Sequence, residues 1–249
     1  MSILPDRTVP AATAVDRRHS PPPGPYTTYR PCLRWEFGFS CAFCLTHESD
    51  LAEHGVEATG LTSVEHQVPR SQDPTGGGAN HYPNCFYACR FCNQSRGVER
   101  NVDALGRRLL DPCHDAWGAC FTVLDDRLVP CAGDGDAERT HRVYDLDDPR
   151  KRQMRRTRAE VLRDAFRLLD EGPDRLARLL RLATEAPAQY RAELTLAARE
   201  LRELMVRATR DVARFSAVPW DADAKCRCGT PGFCTLPSFI EAQLRASPG

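Results

Sequence analysis

The sequence predicts an α+β protein in which a small metal-stapled unit of short strands and loops precedes an α-helical carboxy-terminal region. Three observations carry this reading. Nine of the 12 cysteines fall between Cys32 and Cys131. The apolar runs in that stretch are short and broken by turn residues. After Arg150 the composition shifts to Ala, Leu, Arg and Glu at helical spacing.

Residues 1–28 hold six prolines and few large apolar side chains, and read as a flexible Pro-rich tail or partner arm. Residues 29–148 form the stapled domain. Its interior carries the glycine-rich loop Gln72–Pro83, and DPCHDAWGACFTVLDDRLVPC near its end reads as a turn followed by a β-hairpin. Cys113, Cys120 and Cys131 in that stretch, and Cys85 in an apolar run, read as packing residues. Residues 149–218 are the helical region, with segments Thr157–Asp170, Pro173–Thr184 and Pro187–Ala217. Pro173 and Pro187 suit first turns and Gly172 suits a helix stop. Tyr190, Leu194, Ala197, Leu201, Leu204, Ala208 and Phe215 make a stripe that packs on the preceding helices or, given its three–four alternation, forms a dimer seam. Residues 219–249 are a cysteine-containing segment, in which Cys226, Cys228 and Cys234 could bind a second zinc with Cys32, Cys131 or His114 as fourth ligand.

Composition narrows the function classes. With 41% hydrophobic and 27% charged residues the chain is not wholly disordered. Its 34 basic and 34 acidic side chains cancel, so any attraction to nucleic acid must come from local patches. No run of about 18 apolar residues exists and no signal-peptide core opens the chain, so a cytoplasmic protein without membrane contact is expected. Cysteines in that compartment read as metal ligands sooner than as disulfides.

Cys41-x-x-Cys44 and Cys89-x-x-Cys92 have the spacing of two zinc knuckles, which together offer four thiolates to a tetrahedral ion. A loop-rich unit needs such a staple, since structural zinc supplies roughly 10–16 kcal/mol of apparent binding free energy to folding. Between the pairs lie residues of another kind. Ser63–Pro69 is an alternating, strand-like run carrying Glu65 and His66. Asn84 opens a second short strand 18 residues after His66, Asn93 follows 9 residues later in the first turn of a helix, and Arg96 comes next.

The ordered pattern C-x-x-C, E-H-x-x-P, N-x-x-x-x-C-x-x-C-N-x-x-R, over Cys41–Arg96, resembles the HNH endonuclease family of the stand-alone bacterial type, whose active site is a ββα-metal unit. A weaker likeness continues through Asp111-Pro112 to about Arg156. The resemblance implies that His66 is the general base, that Glu65 and Asn93 hold one Mg²⁺ or Mn²⁺, that Asn84 braces the loop between the strands, and that Arg96 contacts phosphate. The donor chemistry agrees: oxygen donors suit the hard ion, thiolates suit zinc, and the two ions need not compete. Two positions depart from the family. Glu65 stands where Asp or His is frequent, and Arg96 where Lys or His is.

The implied activity is hydrolysis of DNA to 5′-phosphate and 3′-hydroxyl ends. The basic run Arg150, Lys151, Arg152, Arg155, Arg156 and Arg158 is a candidate backbone tracker. The helical region suggests control by a protein partner or by homodimerisation, as in a bacterial antiviral defence effector. Two alternatives stand beside this: a zinc-stapled nucleic-acid-binding or scaffold module without hydrolysis, and a nuclease acting on RNA.

Overall fold

The computed structural model describes residues 10–52, 60–73, 78–215, Cys226 and Cys228. The chain divides into two units, one of residues 1–156 with 216–249 and one of residues 157–215. Every candidate catalytic and metal-binding residue among the described residues belongs to the first.

That unit is built on a two-stranded antiparallel hairpin, β1 (Thr62–His66) with β2 (Cys85–Cys89), in which Glu65 faces Phe86 and His66 faces Cys85. β-branched and aromatic side chains favour the pleat, and β2 is buried along its whole length. Helix α3 (Arg90–Arg96) follows without a linker. Cys89 ends the strand and caps the helix, its Sγ accepting from the Cys92 backbone N–H. Gly97, at φ +55°, ends α3 in a conformation that a side chain would strain.

Helix α1 (Arg30–Glu36) packs across β2. α2 (Glu48–Ala52), α4 (Trp117–Cys120) and the hairpin β3 (Phe121–Leu124) with β4 (Arg127–Pro130) complete the surroundings, followed by α5 (Gly135–Val143). This second hairpin lies where the sequence predicts one. Asp125 takes φ +58° in its turn, a conformation Asp tolerates better than most residues. At the centre, Phe43 and Tyr144 stack at 3.9 Å and the Trp117 indole donates to the Phe43 carbonyl. The mixed helix and small-sheet class is therefore as predicted.

The amino-terminal arm is not a loose tail over its described part. The Gly118 N–H donates to the Ala11 carbonyl at 2.7 Å, and a Cβ at Gly118 would sit only 3.0 Å from that oxygen. The Val15 N–H reaches the Pro112 carbonyl. The Arg17 guanidinium donates to the carbonyls of Pro83 and Cys85 and lies over the rings of Phe37, Tyr82 and Phe86 at 5.0–5.6 Å. Proline-rich composition gives an extended chain, but extension does not prevent docking when backbone groups and one arginine find partners.

The helical region also differs. α6 (Pro149–Glu185) runs unbroken through Gly172 and Pro173, and α7 (Ala188–Phe215) begins just after Pro187 as expected. Gly172 is a point of close approach and not a stop: a Cβ there would stand 2.9 Å from the Met205 sulfur. Pro173 has no amide hydrogen, so α6 forgoes one backbone hydrogen bond there without breaking. Of the predicted stripe, Ala208 and Phe215 are buried, whereas Tyr190 and Leu204 remain exposed.

Half of the basic run at the start of α6 is buried in the fold. Lys151, Arg155 and Arg158 are buried, Arg152 and Arg156 both pair with Asp126, and Arg150 pairs with Asp148. Lys151 and Arg155 donate to backbone carbonyls and face inward, whereas Arg150 and Arg156, though paired with acids, keep side chains 63% and 51% exposed. No described helix is long and apolar enough to cross a membrane.

Candidate functional site

The four thiols of the two knuckles meet. Cys41, Cys44, Cys89 and Cys92 are all buried and their sulfurs lie within 4.8 Å of one another. The first knuckle is a tight turn in which the Leu45 N–H donates to the Cys41 carbonyl and Phe39 and Leu45 adopt positive φ. The Ala42 N–H donates to the Tyr87 carbonyl, which fastens the turn to β2. The second knuckle is the β2–α3 junction itself, so one ion would tie the loop, the hairpin and the helix together.

Ionisation explains why an ion is wanted. Burial opposes the Cys44 thiolate, yet the thiols of Cys41, Cys89 and Cys92 donate to it and hold its pKa well below the ordinary thiol value. Cys89 is pushed up by its hydrogen bonds with Cys41 and Cys44, and Cys92 by burial. Four sulfurs cannot all lose their protons in so dry a place without a cation, and this all-sulfur donor set fits structural zinc. Lys151 supplies part of the countercharge. It is 0% exposed and its Nζ donates to the carbonyls of Tyr144 and Asp145. Burial works against its charge, but the neighbouring sulfurs, Cys92 and Cys44 foremost, keep its pKa above the usual lysine value. Lys151→Met is accordingly expected to weaken zinc retention by roughly 10–100-fold, the range for residues just outside a metal's ligands. Competition against a chromophoric chelator measures this.

The hairpin and α3 carry the remaining candidates. Asn93 sits in α3, its Nδ2 donating to Ser63 Oγ at 2.8 Å. Ser63 and Glu65, two apart on β1, share the face turned to α3. Glu65 is buried and its Oε1 accepts from the Arg96 guanidinium, one turn beyond Asn93. Burial raises the Glu65 pKa while Arg96 opposes the rise. Arg96 itself is 1% exposed and also donates to the carbonyls of His66 and Gln67. A guanidinium so placed is a brace between helix and strand. The expected phosphate contact at Arg96 meets a buried side chain whose two Nη atoms are engaged inside the protein, while its buried Nε has no hydrogen-bond partner among the described residues.

Asn84 braces the loop between the strands as expected. Its Oδ1 accepts from the Val68 N–H at 2.8 Å and its Nδ2 donates to the carbonyls of Val68 and Gly78, 3.2 and 3.0 Å away. His66, at the end of β1, lies edge-on to the Tyr26 ring at 4.9 Å, and its Nε2 is 3.0 Å from the Ala79 carbonyl. A carbonyl only accepts, so Nε2 carries the proton and Nδ1 keeps the lone pair. Burial pulls the His66 pKa below the ordinary imidazole value, with Arg70 and Arg96 adding to the fall. Its ring makes no hydrogen bond with Glu65 or Asn93 among the described residues, and both Glu65 and His66 are buried at the end of β1. His81 is exposed.

Fitness for a hard cation is thus partial. Glu65 and Asn93 flank one face and both have oxygen donors, but the carboxylate is engaged by Arg96. Among the described residues Glu65 joins no cluster of three or more candidate ligand side chains.

The remaining thiols sort differently from expectation. Cys131 donates to the Ala119 carbonyl and His114 pairs with Asp111, so neither serves as a fourth ligand to Cys226 and Cys228. Cys32 does stand beside them, and so does His19, which no local motif marks. Cys85 is fully buried and, with its pKa pushed up to about 12 by burial, is an inert core thiol. Cys234 lies outside the described residues. Comparison with protein-family models, with curated proteins and with solved structures finds no match.

Proposed function

We propose that the chain is a metal-dependent endonuclease of the HNH class that hydrolyses DNA phosphodiester bonds, with His66 as general base. The observation that carries the reading is the state of that imidazole: Nε2 is committed to the Ala79 carbonyl, Nδ1 keeps its lone pair, and burial keeps the ring neutral. A base held in one tautomer can take a proton from water without first losing one of its own. Asn84, by clasping Val68 and Gly78, keeps the backbone after His66 in place. Glu65 and Asn93 are the side chains that would hold Mg²⁺ or Mn²⁺, a group that stabilises charge on the phosphate and on the departing oxygen. Zinc at the four cysteines is the structural ion. Control through the helical unit, by a partner or a second copy, and a role in bacterial defence extend this proposal.

One observation favours a second reading. The Arg96 guanidinium occupies the Glu65 carboxylate, which suits a zinc-stapled binding module whose hydrolytic centre is inactive. Conversion of supercoiled plasmid in Mg²⁺ or Mn²⁺ by the purified full chain decides between them. Nicked or linear product supports hydrolysis; binding without any product supports the module. Structured RNA digested in parallel tests the substrate class.

The pH dependence has a defined sign. Protonated His66 cannot act as base, and its lowered pKa means that protonation begins at a lower pH than for an ordinary histidine. The acid limb of kcat/KM is therefore expected below about pH 6.5, with a plateau through neutrality. A limb centred above pH 7 would assign the base elsewhere.

A further inference from the structure

We propose that His19, Cys32, Cys226 and Cys228 form a second structural zinc site, which fastens the amino-terminal arm and the carboxy-terminal segment to α1. The donor atoms of these four side chains all lie within 4.8 Å of one another. His19 Nδ1 is 3.0 Å from Cys226 Sγ and 3.1 Å from Cys228 Sγ. Cys32 Sγ stands 3.3 Å from Cys226 Sγ, and the two carboxy-terminal sulfurs are 2.8 Å apart. A tetrahedral ion with bonds of about 2.3 Å to sulfur needs donor separations of about 3.8 Å, so a small outward movement of each side chain completes the site. Three thiols and one imidazole are a closed donor set with no position left for water, which is the structural and not the catalytic pattern.

The surroundings are built to hold these donors. His19 and Cys32 are buried. The His19 backbone N–H donates to Glu36 Oε1 at 2.7 Å, and the other Glu36 oxygen accepts from the Tyr82 hydroxyl at 2.7 Å and faces Arg17 at 3.4 Å. Glu36 thus sets the height of the arm against α1, which itself carries Cys32 near its start. The Cys228 N–H donates to Cys226 Sγ at 3.3 Å, the kind of bond that steadies a thiolate. All four residues belong to the first unit, although about 200 residues separate the two pairs in sequence. The inference is independent of the nuclease reading, because neither His66 nor any residue of the β1–β2 face takes part.

Counting zinc by plasma mass spectrometry on the full chain, purified in reductant, tests it. Two zinc ions per chain are expected, and one in the Cys226→Ser/Cys228→Ser variant, whereas Cys131→Ser keeps two. A wild-type count of one overturns the proposal, as does a count of two that survives loss of Cys226 and Cys228. Cobalt substitution covers the case in which the double variant misfolds. Wild-type protein loaded with cobalt should show the ligand-field bands of two sites, one with four sulfurs and one with three sulfurs and a nitrogen; a single four-sulfur spectrum rejects the second site. An intact mass lowered by two hydrogens, with one zinc, would show a disulfide instead and likewise reject it.

Discussion

His66→Ala is expected to lower plasmid cleavage by about 10²–10⁴-fold while leaving zinc content and secondary structure unchanged. The argument rests on what the ring touches. Its Nε2 meets one backbone carbonyl and its edge meets one tyrosine, so removing it deletes a modest amount of packing. The Ala79 carbonyl would keep only the weak Cys85 thiol donor, and a stability loss of about 1–3 kcal/mol is expected from that and from the small cavity. Thermal melting distinguishes this modest loss from global failure. If the variant cuts at the wild-type rate, His66 is not the base and the hairpin has another task.

The second large effect is at the staple. Cys41→Ser removes one of four sulfurs from a site whose zinc would contribute roughly 10–16 kcal/mol, as much as the whole stability of an ordinary domain or more. The variant is expected to lose its zinc and its cooperative melting, and to be recovered largely as insoluble protein. Cys85→Ser is the matched control. Cys85 is just as buried, but its Sγ donates to the carbonyls of Ala79 and His81 and is not one of the quartet. It should keep full zinc and melt cooperatively. If Cys41→Ser folds with wild-type zinc content, the quartet does not carry the ion and the account of the fold fails with it.

The candidate site was unevenly readable before any coordinates. The C-x-x-C pairs are local signals whose chemistry demands partners, so two of them in one chain point to a shared ion even across 45 residues. Strand periodicity around Glu65 and His66, and the strand-to-helix change at Cys89, are likewise local, and β1, β2 and α3 lie where those patterns put them. Arg96 was misjudged because its partner is set by how α3 lies on β1. Spacing along the chain says that Asn93 and Arg96 share a helix face, but not that Glu65 waits beneath it. The buried half of the basic run is hidden from the sequence for a related reason. Lys151 and Arg155 resemble solvated helix cations until the sulfurs, the Tyr144 and Asp145 carbonyls and the Cys44 carbonyl are brought against them.

His19 was invisible for the plainest cause: a single histidine in a proline-rich arm carries no pattern, and the thiols it faces are about 200 residues away. Gly172-Pro173 looked like punctuation because local rules price a break and cannot price the contact with Met205 that keeps the helix whole.

Residue chemistry and short-range periodicity were enough to specify the kinds of element, their order along the chain and a sulfur-rich quartet, since each depends on neighbours within a few positions. Which side chains lose contact with water, and therefore which charges are free to meet a substrate and which are consumed as braces, emerged once distant segments packed. Desolvation is a property of the assembled neighbourhood, and no stretch of chain carries it alone.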